Sequence, residues 1–142
     1  MTSAKHMLGS KPAKIISISP DNTVFEAITV LCDNNLGALL VMENSKMVGI
    51  FSERDYARKI ILQDRSSRTT KVREVMNAKV LYVTPNTSTD ECMALMTEKH
   101  IRHLPVLDNE NVMGIISIGD CVKTAIDHKS FIIDQLERYI TS

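Results

Sequence analysis

The chain has 142 residues, of which 44% are hydrophobic, and its 17 basic and 17 acidic side chains cancel. A chain of this length forms one compact unit with a sizeable core, or two very small units that share a core. Because there is no net charge, no long apolar run and no signal-like N-terminus, we expect a soluble cytoplasmic protein without nucleic-acid or membrane partners.

The first 63 residues contain a series of elements that ends in a helix. A short helix, "AKHML", precedes the strand "KIISI" (residues 14–18), which a Ser-Pro pair ends. The next segment, residues 22–35, predicts a helix by its apolar spacing, with Val24, Ala27, Ile28 and Leu31 on one stripe. Residues 37–52 show two apolar runs around an Asn-containing turn, which predicts a hairpin, and residues 52–63 predict a closing helix.

The remaining elements repeat this order after "QDRSSRTTK" (residues 63–71), which has a linker's polar composition. A short helix, "VREVM", is followed by the predicted strand "VLYV" (residues 80–83) and a helix whose stripe contains Cys92, Met93, Leu95 and Met96. A hairpin over 102–117 and a helix over 117–126 follow. A separate last helix, "SFIIDQLERYI", is predicted with Ser130 as its N-cap.

The two series match each other without a gap. Shifting the chain by 65 residues aligns Ala13–Ile61 with Ala78–Ile126, and it superimposes "GIFSERD" (49–55) on "GIISIGD" (114–120). Such self-similarity implies two copies of one supersecondary unit that pack on each other. The predicted fold class is therefore α/β, with two β-α-β-β-α units, both parallel and antiparallel strand pairing, and short flanking helices.

The repeated Ser-x-x-Asp has two interpretations. Ser52 and Ser117 occupy N-cap positions, and Asp55 and Asp120 suit the acidic partner of a capping box. The same carboxylates could accept bonds from both hydroxyls of a ribose, beside helix N–H groups that suit a phosphate. The preceding Gly either closes the hairpin or lets a ligand approach the backbone.

With these motifs, the chain resembles the tandem cystathionine-β-synthase (CBS) domain proteins over nearly its whole length. The resemblance rests on "VREVM", "STDECMALMTEKHIRHLPVLD", "VMGIISIGD" and "NTVFEAITVLCDNNLGALLVMENSKMVGIFSERD". It implies two motifs, residues 11–62 and 72–128, packed with pseudo-twofold symmetry, and a C-terminal helix over 129–142. It also implies a regulatory module that binds an adenosine nucleotide in clefts between the motifs: AMP foremost, with ADP, ATP or NAD as alternatives.

The resemblance also assigns site residues by position. Asp55 and Asp120 would hold ribose, while Ser52 and Ser117 would support ribose or phosphate. The adenine pocket would contain Ala38, Leu39 and Pro105, with His103 beside it. The phosphate candidates are Arg54, Arg102 and His103, since cationic side chains suit phosphate, although Arg54 could equally be a solvated helix residue. The copies differ here, because Gly119 replaces Arg54 while Gly37 and Ala38 replace Arg102 and His103, so unequal ligand affinities are expected.

Other functions are less well supported by the residues. The spacing of Cys32, Cys92 and Cys121 suits neither a disulfide framework nor a zinc site, so buried free thiols are expected. The one local histidine pair, "HIRH", shares no helical face, so neither a metal site nor an enzyme is indicated. The alternative is a structural or partner-binding protein with vestigial nucleotide pockets.

Apolar helix faces raise the question of self-association. Ile28, Leu31, Met93 and Met96 provide more apolar surface than one small sandwich is expected to cover. Because such surfaces mark interfaces, a homodimer is predicted. The sequence names neither the nucleotide nor a regulated protein partner.

Overall fold

The computed structural model describes residues 2–9 and 15–141. In chain order the elements are α1 (Ala4–Gly9), β1 (Ser17–Ile18), α2 (Val24–Asp33), β2 (Ala38–Glu43), β3 (Lys46–Ser52), α3 (Glu53–Tyr56), a π-helical turn (Ala57–Ile61), α4 (Val72–Val75), α5 (Thr89–Lys99), β4 (His103–Asp108), β5 (Asn111–Ser117) and α6 (Ile118–Thr141). The predicted α/β class is confirmed. Residue 11, where the first motif was predicted to start, and residue 14, where its first strand was predicted to start, lie outside the described residues.

The chain forms two compact units. The first-repeat unit comprises Lys14–Leu81 with Glu110–Val112, and the second-repeat unit comprises Met1–Ala13, Tyr82–Asn109 and Met113–Ser142. Each unit therefore contains most of one sequence repeat together with a segment that lies elsewhere in the chain.

The first-repeat unit contains a three-stranded sheet of order β1-β2-β3. β1 pairs with β2 in parallel and β2 pairs with β3 antiparallel, so both predicted pairing types occur. The hairpin turns at Asn44 and Ser45, whose φ angles of 52° and 63° are both left-handed. Two successive left-handed residues suit a two-residue hairpin turn, because they match the right-handed twist of the strands. The predicted hairpin is thus confirmed.

Helix α2 packs on this sheet through the predicted stripe. Val24, Ala27 and Leu31 are buried, and Ile28 packs against the same core cluster. A capping box at its start joins Thr23 and Glu26, since the Glu26 N–H donates to Thr23 Oγ1 and the Thr23 N–H donates to Glu26 Oε1. The other buried members of this core are Leu39, Val41, Phe51, Ile60, Val72 and Val75.

The second repeat has the same plan with fewer strands. Its two-stranded sheet pairs β4 with β5 through a turn at Asn109 and Glu110, which also have left-handed φ angles. Helix α5 begins after Ser88, whose side chain accepts a hydrogen bond from the Glu91 N–H. The buried core of the second-repeat unit consists of Ala4, Met7, Val83, Cys92, Met96, Leu104, Val106, Ile116 and Cys121.

The prediction that "VLYV" forms a strand is wrong. Val83 alone pairs, in an isolated β-bridge. Val83 bridges Val106 in parallel; the Val83 N–H donates to the Pro105 carbonyl, and the Leu107 N–H donates to the Val83 carbonyl. Extending the bridge to Tyr82 would require an N–H at residue 105, which proline lacks. The first repeat has Leu40 at the matching position, and there the pairing does extend, to Ser17.

The two short lead-in helices make equivalent contacts, each with a turn of its own unit. The α1 backbone N–H of Ala4 donates to the Thr87 carbonyl in the second-repeat unit. The α4 backbone N–H of Val72 donates to the Asn22 carbonyl in the first-repeat unit. Since Thr87 is the repeat equivalent of Asn22, each lead-in helix packs with the repeat that does not directly follow it in sequence.

The polar segment 63–71, which was predicted as a linker, makes backbone hydrogen bonds to the start of α2. The Val24 N–H donates to the carbonyl of Thr70, a buried residue, and the Phe25 N–H donates to the Ser67 carbonyl. The Arg68 guanidinium lies 4.0 Å from the centre of the Phe25 ring. These contacts satisfy N–H groups in the first turn of α2, which have no partners inside the helix.

The predicted separate C-terminal helix with Ser130 as N-cap is wrong. α6 runs without interruption from Ile118 to Thr141, so Ser130 lies in its interior. The intervening "DHK" contains no proline or glycine to end the helix, and apolar residues continue beyond it.

The cysteine prediction is confirmed at two positions and wrong at one. Cys92 and Cys121 are buried free thiols, whereas Cys32 is an exposed free thiol on α2. Burial raises the pKa of Cys92, which keeps that thiol neutral.

Candidate functional site

In the first repeat, Ser52 and Asp55 form a complete capping box at the start of α3. The Ser52 N–H donates to Asp55 Oδ2 at 2.9 Å, and the Ser52 hydroxyl contacts the same oxygen at 3.0 Å. In return, the Asp55 N–H donates to Ser52 Oγ at 3.2 Å. The capping interpretation of this motif is therefore confirmed, and the Asp55 side chain is fixed at the end of the hairpin.

The second repeat has the same arrangement at the start of α6. The Ser117 N–H donates to Asp120 Oδ2 at 2.8 Å, and the Asp120 N–H donates to Ser117 Oγ at 3.1 Å. Both aspartates are partly buried. A carboxylate has about four acceptor positions, so the bond from the serine N–H does not by itself exhaust them.

One backbone hydrogen bond ties each helix start to the residue just before the first strand of its hairpin. The Glu53 N–H donates to the Gly37 carbonyl at 3.1 Å, and the Ile118 N–H donates to the Arg102 carbonyl at 2.8 Å. These bonds are equivalent by repeat position. Arg102, which is exposed, is thereby placed beside the start of the helix that contains Asp120, where the first repeat has a glycine.

A cation of the first repeat that was not predicted from the sequence, Lys59, lies beside Asp55. Lys59 Nζ lies 3.4 Å from Asp55 Oδ1 and donates to the Val75 carbonyl at 2.8 Å. The equivalent residue of the second repeat is Thr124. The spacing of four residues between Asp55 and Lys59 could have indicated this pair, since it places both side chains on one helical face. Each repeat thus has a basic residue near its motif, but from a different element.

The side chains of the residues proposed for the adenine pocket do not all lie on one face of their strands. Ala38 pairs with Ser52 across β2 and β3, so it lies directly beside the capping box. Leu39 belongs to the hydrophobic core, on the other face of the strand from Ala38. In the second repeat Pro105 is buried in β4, while His103 is half-buried at the start of that strand. Arg54 is half-buried in the first turn of α3.

The glycine of each motif accommodates the chain's own side chains. A Cβ at Gly49 would lie 2.7 Å from Met76 Sδ, and a Cβ at Gly114 would lie 2.8 Å from Leu8 Cδ2. Met76 and Leu8 are the last residues of the two predicted lead-in helices. The close approach at each glycine is therefore made by a lead-in segment of the same unit.

Known proteins match the chain along both repeats. The family model of the CBS domain matches residues 10–62 and 72–127. The chain belongs to the CBS domain family. Proteins of this family are generally regulatory modules that bind adenosine ligands.

Solved and curated CBS proteins are similar over most of this chain. A putative signal-transduction protein with CBS domains from Burkholderia ambifaria MC40-6 is 50% identical with a TM-score of 0.86, covering 89% of this chain and 95% of that chain. "CBS domain-containing protein CBSX3, mitochondrial" from Arabidopsis thaliana is 41% identical over 84% of this chain, which spans 61% of that protein. "CBS domain-containing protein YhcV" from Bacillus subtilis is 32% identical over 82% of this chain and 83% of its own length.

Two further findings concern other classes of site. In the described ranges, no group of three or more His, Cys, Asp or Glu side chains is placed to hold a metal ion. Over the same residues, no helix is both long enough and apolar enough to cross a membrane.

Proposed function

We propose that this CBS protein is a non-catalytic regulatory module whose ligand is an adenosine nucleotide: AMP foremost, with ADP, ATP or NAD as alternatives. The supporting observation is the equivalence of the two Ser-Asp pairs. In both repeats a carboxylate is held at the end of a hairpin and the start of a helix by hydrogen bonds from the serine's backbone. Such an aspartate is pre-organised to accept hydrogen bonds from a ribose diol.

The proposed roles follow the positions of the side chains. Asp55 and Asp120 bind ribose, and Ser52 and Ser117 hold them in place and support ribose or phosphate. Positive charge for the phosphate comes from Lys59 and Arg54 in the first repeat. Arg102 and His103 supply it in the second repeat, while Ala38, Leu39 and Pro105 remain the proposed adenine contacts, Leu39 through its backbone because its side chain belongs to the core. Because the cations differ, the two sites are proposed to prefer different nucleotides or to bind one nucleotide unequally.

Calorimetric titration with AMP tests the ribose contacts. A carboxylate hydrogen bond is worth roughly 1.5–3 kcal/mol, so losing one or two lowers affinity about tenfold to several-hundredfold. Asp55→Ala and Asp120→Ala are therefore expected to weaken AMP binding at their own sites. Glu26→Ala is the matched control, because it removes the same kind of capping-box acceptor from α2 and is expected to leave affinity unchanged.

Comparing AMP with adenosine tests the phosphate contacts. Lys59→Met and Arg102→Met are each expected to reduce the preference for AMP over adenosine, because adenosine lacks the phosphate that these cations would contact. Equal losses for both ligands would argue that the two basic residues act only through the fold.

The second candidate function is a structural or partner-binding protein whose nucleotide pockets are vestigial. It is favoured by the completeness of the two caps, because a cap alone accounts for Ser and Asp at this spacing. In that case AMP, ADP, ATP and NAD would leave the melting temperature unchanged. The aspartate variants would then lose only stability, about 0.5–2 kcal/mol per cap.

A homodimer is also proposed, although the four residues that led to the prediction do not form an exposed face. Leu31 and Met96 are buried, and Ile28 and Met93 pack against the cores of their own units. Leu31 and Met96 therefore cannot contribute to a dimer interface, whereas Ile28 and Met93 are half-buried. The cytoplasmic location stays a prediction, and the Arabidopsis relative is named as mitochondrial.

A further inference from the structure

The second half of α6 extends away from the core of its unit. From Ile126 onward, every residue of this helix whose burial is described is exposed. The stability of helices in proteins comes mainly from packing of an apolar face rather than from intrinsic propensity. The exposed half of α6 nevertheless contains several large apolar residues, which suggests that another surface covers them.

The exposed apolar residues follow a heptad spacing. Intervals of four and three residues connect Val122, Ile126, Lys129, Ile133, Leu136 and Ile140, which we call the α6 seam. The five apolar members of the seam are between 43% and 77% exposed, and Lys129 is its one polar member. Seam residues repeat every seven positions over roughly 27 Å of helix, which is the pattern of a two-helix coiled coil.

We propose that the α6 seam pairs with the same seam of a second copy of this chain, with the two helices antiparallel. The inference specifies the surface of the homodimer proposed above and does not depend on nucleotide binding. Lys129 decides the direction, because parallel pairing would place it against the partner's Lys129 in the seam. Like charges at that position oppose pairing, whereas an antiparallel arrangement separates them.

One antiparallel register fills the seam with apolar contacts. It places Ile126 against the partner's Leu136, and Val122 against the partner's Ile140. Each Lys129 then lies against the partner's Ile133, where its long stem can cover apolar surface while the ammonium reaches water. In this register the twofold axis passes near Ser130, which follows Lys129 on the flank of the seam.

The flanking charges agree with this register. Lys123 and Glu137 each directly follow a seam residue, Val122 and Leu136, so both lie on the same flank as Ser130. In the antiparallel arrangement Lys123 faces the partner's Glu137, and the symmetry repeats this pair of opposite charges. Charged pairs on the flanks of a seam set partner choice and orientation.

Sedimentation velocity at micromolar concentration tests the surface. The wild type is expected to be a dimer, and Leu136→Asp and Ile133→Asp are expected to be monomers with unchanged AMP affinity. Phe131→Asp is the matched control: Phe131 is 61% exposed but lies on the opposite side of the helix from the seam, so this variant should remain dimeric. A monomeric wild type, or a Leu136→Asp variant that stays dimeric, would overturn the proposal.

Charge reversal and cross-linking test the register. Lys123→Glu is expected to weaken the dimer about tenfold at low salt, because the symmetry removes two pairs of opposite charges, and Lys123→Glu combined with Glu137→Lys should restore it. In a Cys32→Ser background, which removes the exposed thiol, Ser130→Cys should form an intermolecular disulfide when diamide is added. A dimer that neither responds to the charge reversal nor cross-links would refute antiparallel pairing. A monomer that co-sediments with phosphatidylglycerol vesicles would assign the seam to lipid instead.

Discussion

Replacing Lys59 by methionine removes a cation that the structure connects to two different elements. Its Nζ donates to the Val75 carbonyl at 2.8 Å and lies 3.4 Å from Asp55 Oδ1. The ammonium therefore links the first turn of α3 to the end of α4. Methionine retains most of the aliphatic stem, so the change removes the polar contacts and little of the packing.

The expected cost follows from the exposure of the pair. The Lys59 side chain is 39% exposed and that of Asp55 is 18% exposed, so the ion pair belongs to the weak, solvent-screened class. Such a pair contributes about 0.2–1 kcal/mol. A hydrogen bond to a backbone carbonyl adds about 0.5–1.5 kcal/mol. The total of about 0.7–2.5 kcal/mol corresponds to a fall in Tm of roughly 2–8 °C for a chain of this size, at about 3.4 °C per kcal/mol.

Thermal unfolding followed by circular dichroism measures this change without any ligand. Lys99→Met, at the exposed C-terminal end of α5, is the control and should change Tm by less than about 2 °C. High salt should reduce the difference in Tm between wild type and Lys59→Met, because salt screens the ion pair. The hydrogen bond to the Val75 carbonyl is affected less, so part of the difference should remain. A Lys59→Met variant with the same Tm as the wild type would show that these contacts contribute nothing to stability, and would refute the predicted loss.

Three further outcomes follow from local geometry. Hydrogen bonds from Thr23 lower the pKa of Glu26, so its stabilising contribution is complete above about pH 5 and is lost as pH falls through the folded pKa; Glu26→Gln should therefore show a smaller acid-induced fall in Tm. Gly49→Ala should cost about 1–3 kcal/mol in urea unfolding, because its Cβ would lie 2.7 Å from Met76 Sδ, whereas an unchanged midpoint would mean that the segment yields freely. Pro105→Leu supplies the missing N–H, so hydrogen exchange should show a protected amide at 105; a fast-exchanging amide would contradict the reason given for the short pairing at Tyr82.

The sequence could predict the repeated elements because their periodicities are local. The helix stripe through Val24, Ala27 and Leu31 follows from apolar spacing alone, and all three are buried. The hairpin turns follow from residues such as Asn44 that tolerate a left-handed φ. The family resemblance depended on the same repeated segments, and the CBS domain match extends over both.

Other features depend on partners distant in sequence and could not be read locally. "VLYV" has the composition of a strand, but whether it pairs is decided by Pro105 on the neighbouring strand. The lead-in helices precede their repeats in sequence, yet each packs with the other repeat. For the candidate site, the Ser-Asp motif and its cap were predicted, while Lys59 was not, because its repeat equivalent is the uncharged Thr124.

The two repeats share a Ser-Asp cap but differ in the basic residues beside it. In both units a serine backbone N–H fixes an aspartate at a helix start, and the next backbone N–H donates to the carbonyl just before the first strand of the hairpin. This shared frame keeps the carboxylate in one place while neighbouring positions change. Lys59 becomes Thr124 and Gly37 becomes Arg102, so a basic residue in the helical segment of the first repeat is replaced by one just before β4 in the second. If both carboxylates bind ribose, the phosphate would meet a cation from a different element in each site, and a single nucleotide would then bind them with different affinities.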